Sequence, residues 1–237
     1  MSTPGKLYLL PVPIHEESEN RFIPEFNSSV VKRLTHFIAE DAKTARRFLK
    51  WFGYETISLA EISLLNEHTP ASEMEGLLKA LKNGQDIGLM SDAGCPGIAD
   101  PGADVVKLAH KNGITVIPLV GPSSIVLSIM ASGFNGQNFA FTGYLPIDKT
   151  AKIKRVKELE QIVHKQNQAQ FFIETPYRNT AMLALLRSTL KPRTLLTVAC
   201  DLTLPSKTLI SRRVADWPTS VPDLHKRPAI FVVYAGQ

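Results

Sequence analysis

Ser91-Asp92-Ala93-Gly94-Cys95-Pro96-Gly97-Ile98-Ala99-Asp100-Pro101-Gly102 is the stretch on which the reading of this chain turns. It follows an apolar run at residues 86–90, a predicted strand, and precedes a helical pattern at residues 103–111. A plain strand-to-helix connection needs only about two to six residues. This one holds three glycines, two prolines and two aspartates. Glycine lets backbone approach a ligand closely or take a positive φ. The prolines stiffen the turn, and Pro101 suits a first helical turn. Ligands of open α/β sheets sit beyond the carboxyl ends of the strands. The segment therefore reads as a ligand loop, in which Asp92 and Asp100 could contact an amine, a ribose hydroxyl or the helix N-terminal amides. The plainer alternative is a connection in which Asp100 caps the helix.

Outward from that loop, β-type runs alternate with helical patterns. Strands are predicted at residues 6–12, 37–39, 86–90 and 114–118, and helices at 28–35, 42–52, 72–82 and 103–111. The serines at 28 and 29 are available to cap the first helix, and Gly53 stands where the second should end. After a break at Pro118 and Pro122 the alternation resumes. Helices are expected at residues 123–131, 149–165 and 177–190, and strands at 139–142, 170–174, 195–200, 208–213 and 229–234. Alternating strands and helices predict α/β layers. The last strands follow one another without helices, so the second sheet is expected to be mixed. Two α/β domains are expected, residues 1–118 and 119–237.

The bulk composition fits this. The chain has 237 residues, 44% hydrophobic, enough for a sizeable core. Two cysteines cannot build a disulfide framework, and no run reaches the roughly 18 apolar residues of a membrane span. A soluble, cytoplasmic protein without a signal peptide is expected. A net charge of +5 suits a polyanionic partner, although many basic proteins bind none. The first strand is followed by Pro11-Val12-Pro13-Ile14-His15, without the glycines of a dinucleotide-binding turn, and no phosphate-binding P-loop occurs.

A second segment, Pro118-Leu119-Val120-Gly121-Pro122-Ser123-Ser124, closes a strand and opens an apolar helix. Ser123 or Ser124 can cap that helix; equally, their hydroxyls and the free helix amides can face a cleft. The helix at residues 42–52 places Ala45, Phe48, Leu49 and Phe52 on one face and Lys43, Arg46, Arg47 and Lys50 elsewhere. The basic group is either a phosphate-binding cluster or a solvated face. Lys152, Lys154, Arg155 and Lys157, mixed with Glu158 and Glu160, read as a solvent-facing helix without a role.

Taken together, Ser-Asp-Ala-Gly-x-Pro-x-Ile-x-Asp-Pro-Gly at residues 91–102 and Pro-Leu-x-Gly-Pro-Ser at 118–123 resemble the central pattern of the ribosomal RNA small-subunit methyltransferase I family, within the tetrapyrrole methylase superfamily. Further matches run in order along the chain: Ala39-Glu40-Asp41 with Arg46-Arg47-Phe48-Leu49, Asn66-Glu67-His68, Ala131-Ser132-Gly133, Phe141-Thr142-Gly143-Tyr144-Leu145-Pro146 and Glu174-Thr175-Pro176-Tyr177-Arg178. The resemblance implies two α/β domains with S-adenosylmethionine between them, a homodimer and no metal. It implies cofactor contacts at Pro13, Ile14, Ser91, Asp92, Gly94, Cys95, Ser123, Ser124 and Ile125. From the second domain it implies Thr175, Cys200, Pro228 and Ala229. For the two cysteines the alternative is a buried small hydrophobe.

The resemblance further implies 2′-O-methylation of a ribose in small-subunit ribosomal RNA. A ribose hydroxyl is a weak nucleophile, so a base would help; the candidates are Asp41, Glu40 and His68. Asp41 could instead be only a helix cap. Lys43, Arg46, Arg47 and Arg178 are the candidate substrate-binding residues. Two departures stand out. The family's Ala-Thr-Pro-Ile-Gly-Asn loop reads Pro11-Val12-Pro13-Ile14-His15-Glu16 here, and its Arg-Glu-Leu-Thr-Lys segment reads Cys200-Asp201-Leu202-Thr203-Leu204, so a charge pair is expected to be missing. RNA recognition by a helical tail after residue 237 is not expected. The competing readings are a small-molecule, tetrapyrrole-like methyltransferase and a cofactor-binding, RNA-associated protein without catalysis.

Overall fold

A computed structural model describes residues 3–15, 17, 22–66 and 69–235. The chain forms two compact units, Met1–Ser123 and Ser124–Gln237. The first holds β1 (Leu7–Leu9), α1 (Glu25–Arg33), β2 (His36–Ala39), α2 (Ala42–Trp51), β3 (Glu61–Leu64), α3 (Ala71–Leu77), α4 (Lys79–Lys82), β4 (Ile87–Leu89), α5 (Gly102–Lys111) and β5 (Val116–Pro118). Its five strands run in the order β3-β2-β4-β1-β5, and every pairing is parallel. β4 and β1, the central strands, are almost wholly apolar, as a parallel sheet covered on both faces requires. Tyr8, Leu10, Phe37, Phe48 and Phe52 lie in one cluster, and Leu7, Ile38, Leu89, Val105 and Ala109 in another.

Three local readings of the sequence are corrected in this unit. α1 starts at Glu25, directly after Pro24, so the serines lie inside the helix, and the Ser29 hydroxyl donates to the Phe26 carbonyl. The helical pattern at residues 72–82 breaks at Leu78 into α3 and α4. β3 is a parallel edge strand that the hydrophobic pattern does not reveal, because three of its four residues are exposed.

The second unit holds α6 (Ser124–Ser132), β6 (Phe139–Tyr144), α7 (Lys149–Gln166), β7 (Ala169–Ile173), a 3-10 turn (Pro176–Arg178), α8 (Asn179–Thr189), β8 (Leu195–Cys200), β9 (Thr208–Arg213) and β10 (Ala229–Tyr234). The order is β6-β7-β10-β8-β9. β6 pairs with β7 in parallel, while β10 and β9 are antiparallel to their neighbours, so this sheet is mixed as expected. The helix read as solvent-facing, α7, is not so throughout. Val156, Leu159 and Val163 enter the core, and Lys152 and Glu160 are buried with them. Glu160 is satisfied by the Lys191 amide at 2.8 Å and by the Thr194 hydroxyl.

Candidate functional site

In the first unit the chemistry collects where β1, β2, β4 and β5 end. The parallel order sets all four carboxyl ends at one rim, so the segments that follow them converge. The loop after β4 is tied to the loop after β1 by a single bridge, in which the Val12 amide donates to the Gly94 carbonyl at 2.9 Å. Gly94 has φ +71, a value an L side chain tolerates poorly. The loop after β5 closes the other flank. The Cys95 thiol donates to the Pro122 carbonyl at 3.3 Å, and Gly121 lies against Pro11 with no room for a side chain. The chain after β1 is therefore clamped on both sides, with Val12 and Pro13 buried and Ile14 half-buried.

Asp100 organises the ligand loop. Its carboxylate accepts from the Gly97 amide with both oxygens at 2.9 Å and from the Gly102 amide at 2.7 Å. It is not the N-cap, which is Pro101, but it satisfies the first free amide of α5 from one residue further out and folds the loop back on itself. Ala99, at φ +62, is held in the left-handed region inside this closed turn. Ser91 is buried, with its hydroxyl donating to the Ala93 carbonyl.

Asp92 and Glu40 lie outside that turn, side by side at the same rim. The Asp92 amide donates to Glu40 Oε1 at 3.4 Å. Partial burial, and then the charges of Asp92 and Asp100, raise the Glu40 carboxyl above its ordinary value. Asp92 reaches solvent, yet the protein around it and the Asp41 charge raise its carboxyl too, against the opposing charge of Arg47. Asp41 differs. It accepts from the Thr44 amide at 2.7 Å as the cap of α2, and that bond lowers its carboxyl. Of the three candidate bases, Glu40 alone combines shelter with a raised proton affinity among the described residues. His68 lies outside them.

On α2, Lys43, Arg46 and Lys50 face solvent, while Arg47 is half-buried with its guanidinium 5.2 Å from the Phe48 ring centroid. The four therefore do not form one cluster: three make an exposed stripe, while Arg47 is half-buried and its charge is felt at Asp92.

In the second unit Thr175, Cys200, Pro228 and Ala229 come together. The antiparallel pairing of β10 with β7 and β8 sets Ala229 opposite Cys200 and Ile230 opposite Ile173. The Asp201 amide donates to the Pro228 carbonyl at 3.2 Å. The Cys200 thiol is fully buried, and burial reinforced by the Asp201 charge pushes it up to about 12. Its side chain is therefore the small hydrophobe considered for it. The charge pair expected to be missing is replaced: Arg227 Nε donates to Asp201 Oδ2 at 2.7 Å, and Arg227 also donates to the Asp223 and Ser206 carbonyls. Ser124 and Ile125 open α6, and Ile125 packs against the core of this unit.

Sequence reasoning passed over the group beneath Thr175. Glu174 accepts from Lys152 Nζ at 2.6 Å, from Arg178 Nε at 2.9 Å and Nη2 at 2.7 Å, and from the Thr175 amide at 2.9 Å. Its charged form is disfavoured by burial, but these four donors outweigh that and hold the carboxyl below its ordinary value. Arg178, a candidate for substrate, spends one edge of its guanidinium on Glu174, while its side chain stays 43% exposed.

Among the described residues, no group of three or more His, Cys, Asp or Glu is placed to hold a metal ion, and no helix is long and apolar enough to cross a membrane.

No family model matches the chain. Against solved structures it is similar to the crystal structure of the methyltransferase CobJ, with a TM-score of 0.66 at 14% identity over 98% of this chain and 94% of that one. That likeness shows the fold. Among curated proteins it is 33% identical to the ribosomal RNA small subunit methyltransferase I of Streptococcus pyogenes over 74% of its own length, spanning 58% of that protein. It is 30% identical to the Xylella fastidiosa protein of the same name over 98% of its own length and 82% of the relative. Similarity sustained from end to end at this level means that the chain belongs to the ribosomal RNA small subunit methyltransferase I family.

Proposed function

We propose that this protein transfers a methyl group from S-adenosylmethionine to a ribose 2′-hydroxyl of small-subunit ribosomal RNA. The observation that carries the reading is Glu40: a partly buried carboxylate of raised proton affinity at the carboxyl rim of a parallel sheet, beside a glycine-rich loop. The relatives' names supply the substrate class.

The rim fits the cofactor. Glu40 and Asp92 make it locally anionic, which suits a sulfonium and an ammonium group, and the left-handed Gly94 lets backbone approach a nucleoside closely. Bound there, S-adenosylmethionine supplies an already electrophilic methyl group. The protein then has to align the nucleophile and exclude water. Asp92, Gly94 and Cys95 hold the cofactor against the clamped Pro13-Ile14 segment, with Ser91 fixing the start of the loop. Ser123, Ser124 and Ile125, and Thr175, Cys200, Pro228 and Ala229, provide the further contacts that family membership implies. Glu40 accepts the proton of the ribose hydroxyl. Its raised pKa makes it a stronger base than an ordinary carboxylate. Lys43, Arg46 and Lys50 hold phosphates along α2. The enzyme acts as a homodimer in the cytoplasm.

The test is methyl transfer from labelled S-adenosylmethionine to small ribosomal subunits purified from a strain lacking the gene, followed by mapping of ribose methylation. Incorporation at one ribose is expected. Absence of transfer to the subunits, with transfer to a tetrapyrrole instead, would overturn the RNA assignment.

A further inference from the structure

Tyr177 lies one residue beyond Pro176 on the turn that follows β7, and it is 69% exposed. A tyrosine has an apolar face and a polar tip, which suits it to an interface where one side is packed and the other wet. The turn is rigid. The Arg178 amide donates to the Thr175 carbonyl at 2.8 Å, Arg178 is fastened to Glu174, and the Lys226 amide donates to the Pro176 carbonyl at 3.1 Å. Two side chains from a distant loop meet the ring. His225 packs edge-to-face at 6.0 Å, and Lys226 Nζ stands 5.9 Å from the ring centroid.

Lys226 has φ +60. That left-handed geometry is costly for a lysine and suits glycine or asparagine better. A residue that fits the turn poorly, yet sets its ammonium over an exposed ring, fits a role for the side chain itself. Lys226 and the outer part of Arg178 bring positive charge to the edge of the group, while the Asp223 carboxylate, which accepts from the His225 amide at 2.9 Å, lies on the side of His225. An exposed aromatic face flanked by cations is what single-stranded nucleic acid requires: the ring takes a base and the cations take its phosphates.

We infer that Tyr177, His225 and Lys226 form a stacking platform for an unpaired nucleotide of the RNA substrate. This rests on the RNA reading above and gives a role to Tyr177, which the matched segment at residues 174–178 contains without one, and to His225 and Lys226, which lie outside the matched segments. The base stacks on Tyr177, and Lys226 pairs with the adjoining phosphate.

The test uses the full chain with a single-stranded RNA oligonucleotide carrying 2-aminopurine, whose fluorescence falls on stacking, and methylation of small subunits alongside. Wild type should bind with quenching. Tyr177→Ala should weaken binding about 5- to 150-fold and abolish quenching, since a base stack contributes about 1–3 kcal/mol. Tyr177→Phe should retain both. Lys226→Gly suits the backbone geometry, so the fold is kept. It should weaken binding and lower the salt slope by about 0.7, the value for one phosphate on a single strand. S-adenosylmethionine affinity should not change in any of them. Wild-type RNA affinity and quenching in both Tyr177→Ala and Lys226→Gly would overturn the platform, even where subunits are still methylated. Loss of subunit methylation with RNA affinity intact would also overturn it and assign the surface to a ribosomal protein. A wild-type enzyme that methylates no RNA would instead overturn the function on which the platform rests.

Discussion

The Asp92 amide, at the end of β4, donates to the carboxylate of Glu40, at the end of β2, across 3.4 Å. Two neighbouring strands of a parallel sheet thus hold a potential base by the backbone of the ligand loop. Glu40→Gln keeps the shape and the acceptor but removes the proton acceptor. It should lower methyl transfer about 100- to 10,000-fold, with a much smaller loss of cofactor affinity from the reduced charge of the rim. In the wild type, the acid limb of the kcat/KM profile should lie above the ordinary glutamate value of 4.5, because burial and the neighbouring carboxylates favour the protonated form. Stability moves the other way. Between 4.5 and the raised folded value the native state binds more protons than the unfolded chain, so stability falls as pH rises through that window. Glu40→Gln should therefore raise the Tm at pH 7. An inactive variant with a lowered Tm would point to a structural role.

The ion pairs beneath Thr175 have the opposite sign. The Glu174 side chain is 1% exposed and that of Lys152 10%. Removing one member of such a pair leaves the other charged and sheltered, so Glu174→Ala should cost about 3–5 kcal/mol in urea unfolding. Lys152→Met should cost less, because Arg178 and the Thr175 amide still satisfy the carboxylate. The Glu174 carboxyl is held below its ordinary value, so its contribution is complete above about pH 4.5 and is lost as pH falls through the lowered folded value. Equal stabilities for wild type and Glu174→Ala at pH 7 would refute the account.

These two carboxylates show what a sequence makes legible. The ligand loop and the strand ends around it were readable, because glycine, proline and aspartate in a run after an apolar strand leave few conformations. The parallel first sheet and mixed second sheet followed from where helices separate strands. β3 was not readable, since an edge strand needs no apolar face. Nor was the burial of Lys152. Its partner lies 22 residues away, and periodicity within α7 says only that the surroundings are charged. Asp201 and Arg227 are likewise 26 residues apart, so the substitution at Asp201 read as a loss where the fold supplies a new partner. Pairings made by tertiary structure leave no mark on local pattern.

The clamp on the first loop predicts a steric effect. A Cβ on Gly121 would stand 2.1 Å from Pro11 Cβ and 2.6 Å from its Cγ, and neither proline atom can swing away. Gly121→Ala must push apart the segments that follow β1 and β5. It should destabilise by about 1–3 kcal/mol, as overpacking does. It should also weaken S-adenosylmethionine binding in calorimetry, because the displaced segment carries Pro13 and Ile14. Gly136→Ala is the control. No atom lies within 4 Å of its Cβ position, and its stability should stay within about 0.5 kcal/mol of wild type. Normal cofactor affinity in Gly121→Ala would remove the first loop from the binding site.

Cys200 predicts chemical silence. Its thiol is fully buried and pushed up to about 12, so at pH 8 only about one molecule in ten thousand carries the thiolate that alkylating reagents require. Cys95 is half-buried, and burial raises it too, so it should react slowly but first. Native protein treated with iodoacetamide at pH 8 should show modification at Cys95 and none at Cys200 by peptide mass spectrometry. In denaturing urea both should react at the rate of a free cysteine. Labelling of Cys200 in the native protein, faster than global unfolding allows, would mean that the end of β8 opens to solvent. The seating of Ala229 against it, and the cofactor contacts proposed for that rim, would then have to be abandoned.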